Sequence, residues 1–215
     1  MATATRTRPR VAPAPTPPRR GFARRAGAAV LGVALCACAV YAQALAMPYE
    51  QLGSNLTSHA TLGETTATGR FSVRATSVVA AKAVDTRDYS GKVSKVQTSH
   101  VFLIVAVTAT APKEPLRFDA STTVLVTADG KRYRATDKVD RTLTLFEKWV
   151  QPGFWSTGNL IFEVPVGAVP GASVIVASPS GGFLVDSFAP EVEIDLRLTG
   201  SVVSGAEEYH PLVAA

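Results

Sequence analysis

Residues 101–108 read Val101-Phe102-Leu103-Ile104-Val105-Ala106-Val107-Thr108. Along a strand successive side chains point to opposite faces, so Val101, Leu103, Val105 and Val107 share one face. The other face, Phe102, Ile104, Ala106 and Thr108, is also largely apolar. A strand apolar on both faces must be covered from both sides, so this stretch predicts a central strand. On its N-terminal side Phe71, Val73 and Ala75 alternate with Ser72, Arg74 and Thr76, the period of a half-buried strand. On its C-terminal side Val124-Leu125-Val126 and Lys131-Arg132-Tyr133-Arg134 flank Asp129-Gly130, a pair that supplies the positive φ angles of a tight hairpin. Residues 142–146 read as a further strand. Leu160-Ile161-Phe162-Glu163-Val164 follows the Gln151-Pro152-Gly153 turn and is closed by Pro165, and residues 172–177 and 192–199 complete the set. Short strands separated by Gly, Pro, Asp and Ser turn signals predict an all-β fold, an immunoglobulin-like β-sandwich over residues 69–199.

The charge of the chain is unevenly placed. Residues 1–25 hold seven arginines and no acid, and the first acidic residue is Glu50. Beyond residue 25 there are 15 basic and 17 acidic side chains, a net of −2. The overall +5 therefore describes a terminal tail and no patch on the folded part, which excludes a nucleic-acid partner. Five prolines and no hydrophobic period mark residues 1–25 as a disordered cytoplasmic tail.

Residues 26–47 carry no charge. As a helix they would extend about 33 Å, enough for a hydrocarbon core of about 30 Å. With the arginines on the N-terminal side, the expected orientation is N-terminus in the cytoplasm and C-terminal domain outside. The segment reads as a single transmembrane helix, the membrane being its partner. Cleavage is the alternative: Ala44-Leu45-Ala46 offers a small-x-small site, and Arg19-Arg20-Gly21-Phe22 resembles a twin-arginine export signal. Leu35-Cys36-Ala37-Cys38 is a poor lipidation signal. Both cysteines lie in this segment, so the folded part has neither disulfide nor thiol chemistry.

Residues 48–68 are polar and read as a linker, and residues 200–215 as a frayed tail. Residues 83–99 read as a polar insertion between strands, either disordered or a binding loop, with Arg87 and Tyr89 on its mixed-charge surface. The aromatic stretch Phe146, Trp149, Phe154 and Trp155 around Pro152-Gly153 has two readings: a cap on one end of the core, or an exposed interaction surface. Phe154, Trp155, Trp149, Tyr89 and Arg87 are the candidate interaction residues.

Catalytic patterns do not converge. The three histidines, His59, His100 and His210, fall in three separate contexts that suggest neither a metal site nor a Ser-His-Asp relay. No glycine loop for phosphate follows a strand and opens a helix. Ser178-Pro179-Ser180-Gly181-Gly182 lacks nucleophile-elbow spacing, and Glu191 with Glu193 reads as a solvated edge face. The expectation is a protein without catalytic activity and without a cofactor.

The order of these elements resembles a known family. Gly63-Glu64 enters a strand carrying Phe71-Ser72-Val73, a long strand over residues 100–110 follows, and Asp129-Gly130-Lys131 leads to Tyr133. Then Pro152-Gly153 precedes Leu160, Phe162, Val164 and Pro165 at fixed spacing. This is similar to the telokin-like, immunoglobulin-like DUF4352 ectodomains of bacterial cell envelopes, over about residues 62–199. The family usually has an acidic or polar residue after Pro-Gly, where this chain has Phe154 and Trp155. The resemblance implies a sandwich behind an anchor or signal segment and carries over no catalytic residue. The expected function is a membrane-anchored extracytoplasmic interaction module of the bacterial envelope, with another envelope protein or a wall polymer as partner. The alternative is a cleaved, secreted binding or inhibitor protein.

Overall fold

The computed structural model describes residues 21–45, 54–87, 90–179 and 188–212. The chain divides into two compact units, Met1–Pro48 and Tyr49–Ala215.

The first unit contains one helix, α1 (Gly21–Leu45), rich in alanine and leucine, which are strong helix formers. Its Arg24–Ala44 portion is long and apolar enough to cross a membrane, by length and composition. The helix starts earlier than the uncharged run and takes in Arg24 and Arg25, which the sequence assigned to the disordered tail. Residues 1–20 of that tail lie outside the described residues.

The second unit is a β-sandwich. Its strands are β1 (Leu56–Thr61), β2 (Thr66–Ala67), β3 (Ser72–Arg87), β4 (Val93–Thr110), β5 (Val124–Val126), β6 (Arg132–Arg134), β7 (Ser156–Val164), β8 (Ser173–Ala177) and β9 (Pro190–Asp195). One sheet has the order β1-β9-β8-β5-β6, the other β2-β3-β4-β7. All pairings are antiparallel except β1 with β9.

The inner faces of the two sheets make the main core. Val101, Leu103, Val105 and Val107 of β4 meet Leu125, Val174, Val176, Val192 and Ile194 of the opposite sheet. Phe71 and Phe118 add an edge-to-face ring pair with centroids 5.2 Å apart. The other face of β4 is covered too. Phe102 and Ile104 join Ala81, Val84, Val139 and Ile161 in a second cluster, against which Val96, Leu143 and Leu212 pack. The expectation of a strand buried on both sides is met.

Two irregularities in the β3–β4 register explain why β3 is harder to read. Ala75 pairs with Val107 and Ser77 with Ala106, so Thr76 is an extra residue. A one-residue bulge exchanges the two faces. Val73 and Ala75 point into the main core before it, and Val78 and Ala80 do so after it. A second shift falls between Ala81 and Ala83.

Four sequence readings are corrected. Residues 142–146 are two successive 3-10 turns, Arg141–Leu143 and Leu145–Glu147, and no strand. Asp140 accepts a hydrogen bond from the Thr142 N–H (2.8 Å) and Thr144 Oγ1 one from the Phe146 N–H (3.3 Å), so short polar side chains satisfy amides that a ladder would otherwise use. The stretch read as linker contains β1 and β2, because β1 adds to the sheet beside β9 through backbone pairing that hydrophobic period does not reveal. The polar insertion is the far end of a β-ribbon: Ala83 through Arg87 pair with Val93 through Gln97. Glu191 and Glu193 lie on β9, which is flanked by β1 and β8 and is no edge. Glu191 accepts bonds from Asn55 and Thr57, and Glu193 from Ser173.

The C-terminal segment is likewise no frayed tail. A short helix, α2 (Gly200–Ser204), is followed by residues bridged to β3 at Ala81–Glu207 and Val84–His210. The buried Asp85 holds this segment from below: its carboxylate accepts from Tyr209 Oη (2.6 Å) and the Leu212 N–H (3.0 Å). The hydrogen bond to Asp85 raises the Tyr209 pKa, with burial and the negative charge adding to it. Lys95 Nζ lies 3.8 Å from the centre of the Tyr209 ring. An exposed strand edge invites pairing with other chains, and here the segment covers the β3 edge from Ala80 to Val84.

One glycine marks a close approach. A Cβ on Gly158 of β7 would lie 2.8 Å from Leu145 Cα, so the 3-10 turn packs directly on the strand backbone. Gly158→Ala is expected to cost about 1–3 kcal/mol, because main-chain atoms cannot move aside as a side chain can. A thermal melt of the full chain that equals wild type would refute this close contact.

Candidate aromatic surface

Residues 148–155 connect the second 3-10 turn to β7. Val150 is buried and bridges Leu116: each N–H bonds the other's carbonyl, at 2.8 and 3.0 Å. Pro152 bridges Ala111, and Ser156 Oγ donates to the Trp149 carbonyl at 3.2 Å. Between these ties, Gln151-Pro152-Gly153-Phe154 forms a turn closed by Phe154 N–H to Gln151 O at 3.4 Å. Gly153 has φ +77°, and Pro followed by a left-handed Gly is the signature of a type II turn. The backbone of this loop is thus held on both flanks.

The side chains point outward from it. Trp149 is 58% exposed, Phe154 72% and Trp155 53%. Phe146 alone of the aromatic stretch is buried. Strand-like alternation at Trp149-Val150 sends Val150 inward and Trp149 outward, and Phe154 closes the turn with its ring exposed. The core-cap reading therefore holds for Phe146 and is corrected for the other three.

The structure does not bring the sequence candidates together. Arg87 ends β3, while Ser156 at the start of β7 pairs with Ala109, near the opposite end of β4 from Arg87's partner Val93. Arg87 is exposed at that distal end, where its charge contributes to lowering the pKa of Asp140, after the hydrogen bonds from Thr142. Tyr89 lies outside the described residues.

Two further residues belong with the aromatics and were missed: Leu56 at the start of β1 and Phe188 just before β9, both exposed. The Leu56 N–H bonds the Ala189 carbonyl at 2.9 Å, so they are neighbours. Register places them at the same end of the sandwich. The Ser178 N–H bonds the Pro190 carbonyl (3.2 Å), and Ser178 Oγ accepts from Arg70 Nη1 (3.4 Å). Arg70 precedes β3, whose first residue Ser72 pairs with Thr110, next to Ala111 and its bridge to Pro152. A shallow groove at this end runs between Arg70, Lys113, Glu114, Leu116 and Ser178. No local pattern links Leu56 to Phe188 or either to Trp155; only the strand pairing does.

Titration shifts elsewhere have local, structural causes. Hydrogen bonds from Lys131 and Thr127 hold Asp129 down to about 2. Burial pushes Glu163 up, but hydrogen bonds from Lys138 and Thr98 outweigh it and its pKa is lowered. His59 lies 3.5 Å from Glu193 and His210 2.7 Å from Glu207, on different elements. Among the described residues no three His, Cys, Asp or Glu gather to hold a metal ion. The arrangement offers exposed aromatic side chains on a backbone tied to the core.

A β-sandwich domain in a chain with an apolar N-terminal helix is the class these features define. The chain belongs to the family described as a domain of unknown function, DUF4352, whose model matches residues 60–182. The match ends before β9. Among solved structures, the yjhA protein of Bacillus subtilis is similar at 15% identity with a TM-score of 0.46, covering 63% of this chain and 99% of its own. The secreted protein MPT63 of Mycobacterium tuberculosis is similar at 18% identity and TM-score 0.43, covering 65% and 99%. An uncharacterised β-sandwich protein of Clostridium difficile 630 is similar at 13% identity and TM-score 0.40, covering 65% and 95%. No curated protein matches the chain.

Proposed function

We propose that this protein is a membrane-anchored, extracytoplasmic binding module of the cell envelope that carries out no chemistry of its own. In this reading α1 stays in the bilayer with the arginine-rich N-terminus in the cytoplasm, and the sandwich presents a contact face outside. One observation carries the reading: Trp149, Phe154 and Trp155 stand exposed on a backbone clamped to the core, when burial of aromatics is the rule. Exposed aromatics on a rigid frame lose little freedom on contact, so they are effective anchors. Components within reach of a tethered domain are another envelope protein, a wall polymer and the bilayer surface.

The small-x-small sequence Ala44-Leu45-Ala46 favours a second reading, release as a secreted binder or inhibitor. Location and N-terminal sequencing of the mature protein distinguish the two. The anchored reading expects an intact N-terminus in the membrane fraction and a C-terminal reporter outside the cytoplasm. A mature chain starting at Met47 in the medium would replace it with the secreted one.

A further inference from the structure

We propose that the end of the sandwich bearing Trp149, Phe154 and Trp155 rests on the lipid interface of the membrane in which α1 is held. This names the partner of the face described above and rests on the anchored reading. The chain enters the sandwich at Leu56, at the same end as the aromatic turn. Exposed apolar side chains gather there: outside α1 the large ones among the described residues are Leu56, Trp149, Phe154, Trp155 and Phe188 at this end, with Val93 and Val166 elsewhere. Ten residues join the last residue of α1 to the first of β1, a tether of at most about 35 Å even when fully extended. A domain on so short a tether meets the bilayer surface at high effective concentration, and its chain-entry end meets it first.

The chemistry also selects lipid over the other components. Indole rings settle at the headgroup level, where the ring is apolar and the N–H is wet. Phe154 has no polar side-chain atom to direct at a sugar, yet it is the most exposed aromatic among the described residues.

Trp149 and Trp155 are the only two tryptophans in the chain, so intrinsic emission reads this face alone. The full chain is reconstituted into vesicles of phosphatidylcholine and phosphatidylglycerol at about 3:1, a mixture supplying an anionic interface, with acyl chains brominated near the headgroup. Co-flotation with the vesicles reports the anchor. The proposal expects emission to fall by about half or more relative to unbrominated vesicles, since rings at headgroup level touch the shallow acyl positions. Phe154→Ser, which leaves both tryptophans and the core intact, is expected to reverse most of that loss. Co-flotation with unquenched emission would overturn the lipid contact and leave the anchor standing. Unquenched emission that shifts on adding wall glycan would assign the face to the polymer, again overturning the proposal. Failure to co-float would remove the anchored reading and this inference with it.

Discussion

A chain ending after Gly205 is expected to lose about 3–5 kcal/mol of stability, seen as a melting temperature lower by about 10 °C or more. The missing residues make three backbone hydrogen bonds to the edge of β3: Glu207 N–H to Ala80, Lys82 N–H to Glu207, and His210 N–H to Ala83, at 2.8, 2.8 and 2.9 Å. They also supply two of the donors to Asp85, which is only 4% exposed. Deleting the segment also uncovers the Asp85 carboxylate, so water replaces part of its bonding, and the lost backbone pairing and packing make up the rest of the cost. Leu212, which packs on the outer cluster of Phe102 and Ile104, disappears as well. Tyr209→Phe separates the contributions, since it removes one hydrogen bond while keeping the backbone pairing. It is expected to cost about 1–3 kcal/mol. Near-ultraviolet circular dichroism during thermal unfolding of the full chain in mild detergent measures both. An unchanged melt after truncation would mean that the C-terminal segment does not hold β3.

Phe162→Ala is expected to be comparably damaging, at about 3–5 kcal/mol. Phe162 is fully buried on β7, pairs in register with Leu103 of β4, and bridges Ala135 on its other side. Neighbours held by the β4 ladder and the Ala135 bridge collapse little into the cavity left behind, which places the cost high in the usual range. Trp155→Ser supplies the contrast. As a half-exposed side chain outside the core it is expected to change stability by no more than about 0.5 kcal/mol. Equal destabilisation by the two substitutions would show that the aromatic turn is part of the core after all.

The two residues also illustrate what local pattern can and cannot convey. Phe162 sits in an alternating run, Leu160, Phe162, Val164, whose period announces an inward face, and its burial was legible. Trp155 sits in a turn, where no period operates, so composition favoured a core cap and the structure exposes the ring instead. The turn itself was legible, because Pro-Gly demands the left-handed φ that Gly153 adopts. Residues 142–146 misled because alternating Thr and large apolar residues suit a strand, while the same threonine hydroxyls can cap a turn. Tyr209 and Asp85 lie 124 residues apart, and nothing in either neighbourhood announces the pair.

By itself the sequence determined the period-two strands around Val101–Thr108, the pairing of the strands that flank Asp129-Gly130, the apolar span and the family resemblance, because each depends on residues within a few positions of one another. The tight two-residue turn expected at Asp129-Gly130 is corrected, since the turn runs from Thr127 to Gly130 and Gly130 alone takes a positive φ. Tertiary structure alone decided that β1 joins β9, that the C-terminal segment closes the edge of β3, and that Leu56, Trp149, Phe154, Trp155 and Phe188 share one end of the sandwich. Those outcomes depend on which strands pair and where a bulge exchanges the faces, and pairing is a property of distant backbone groups that side-chain pattern specifies only in sum.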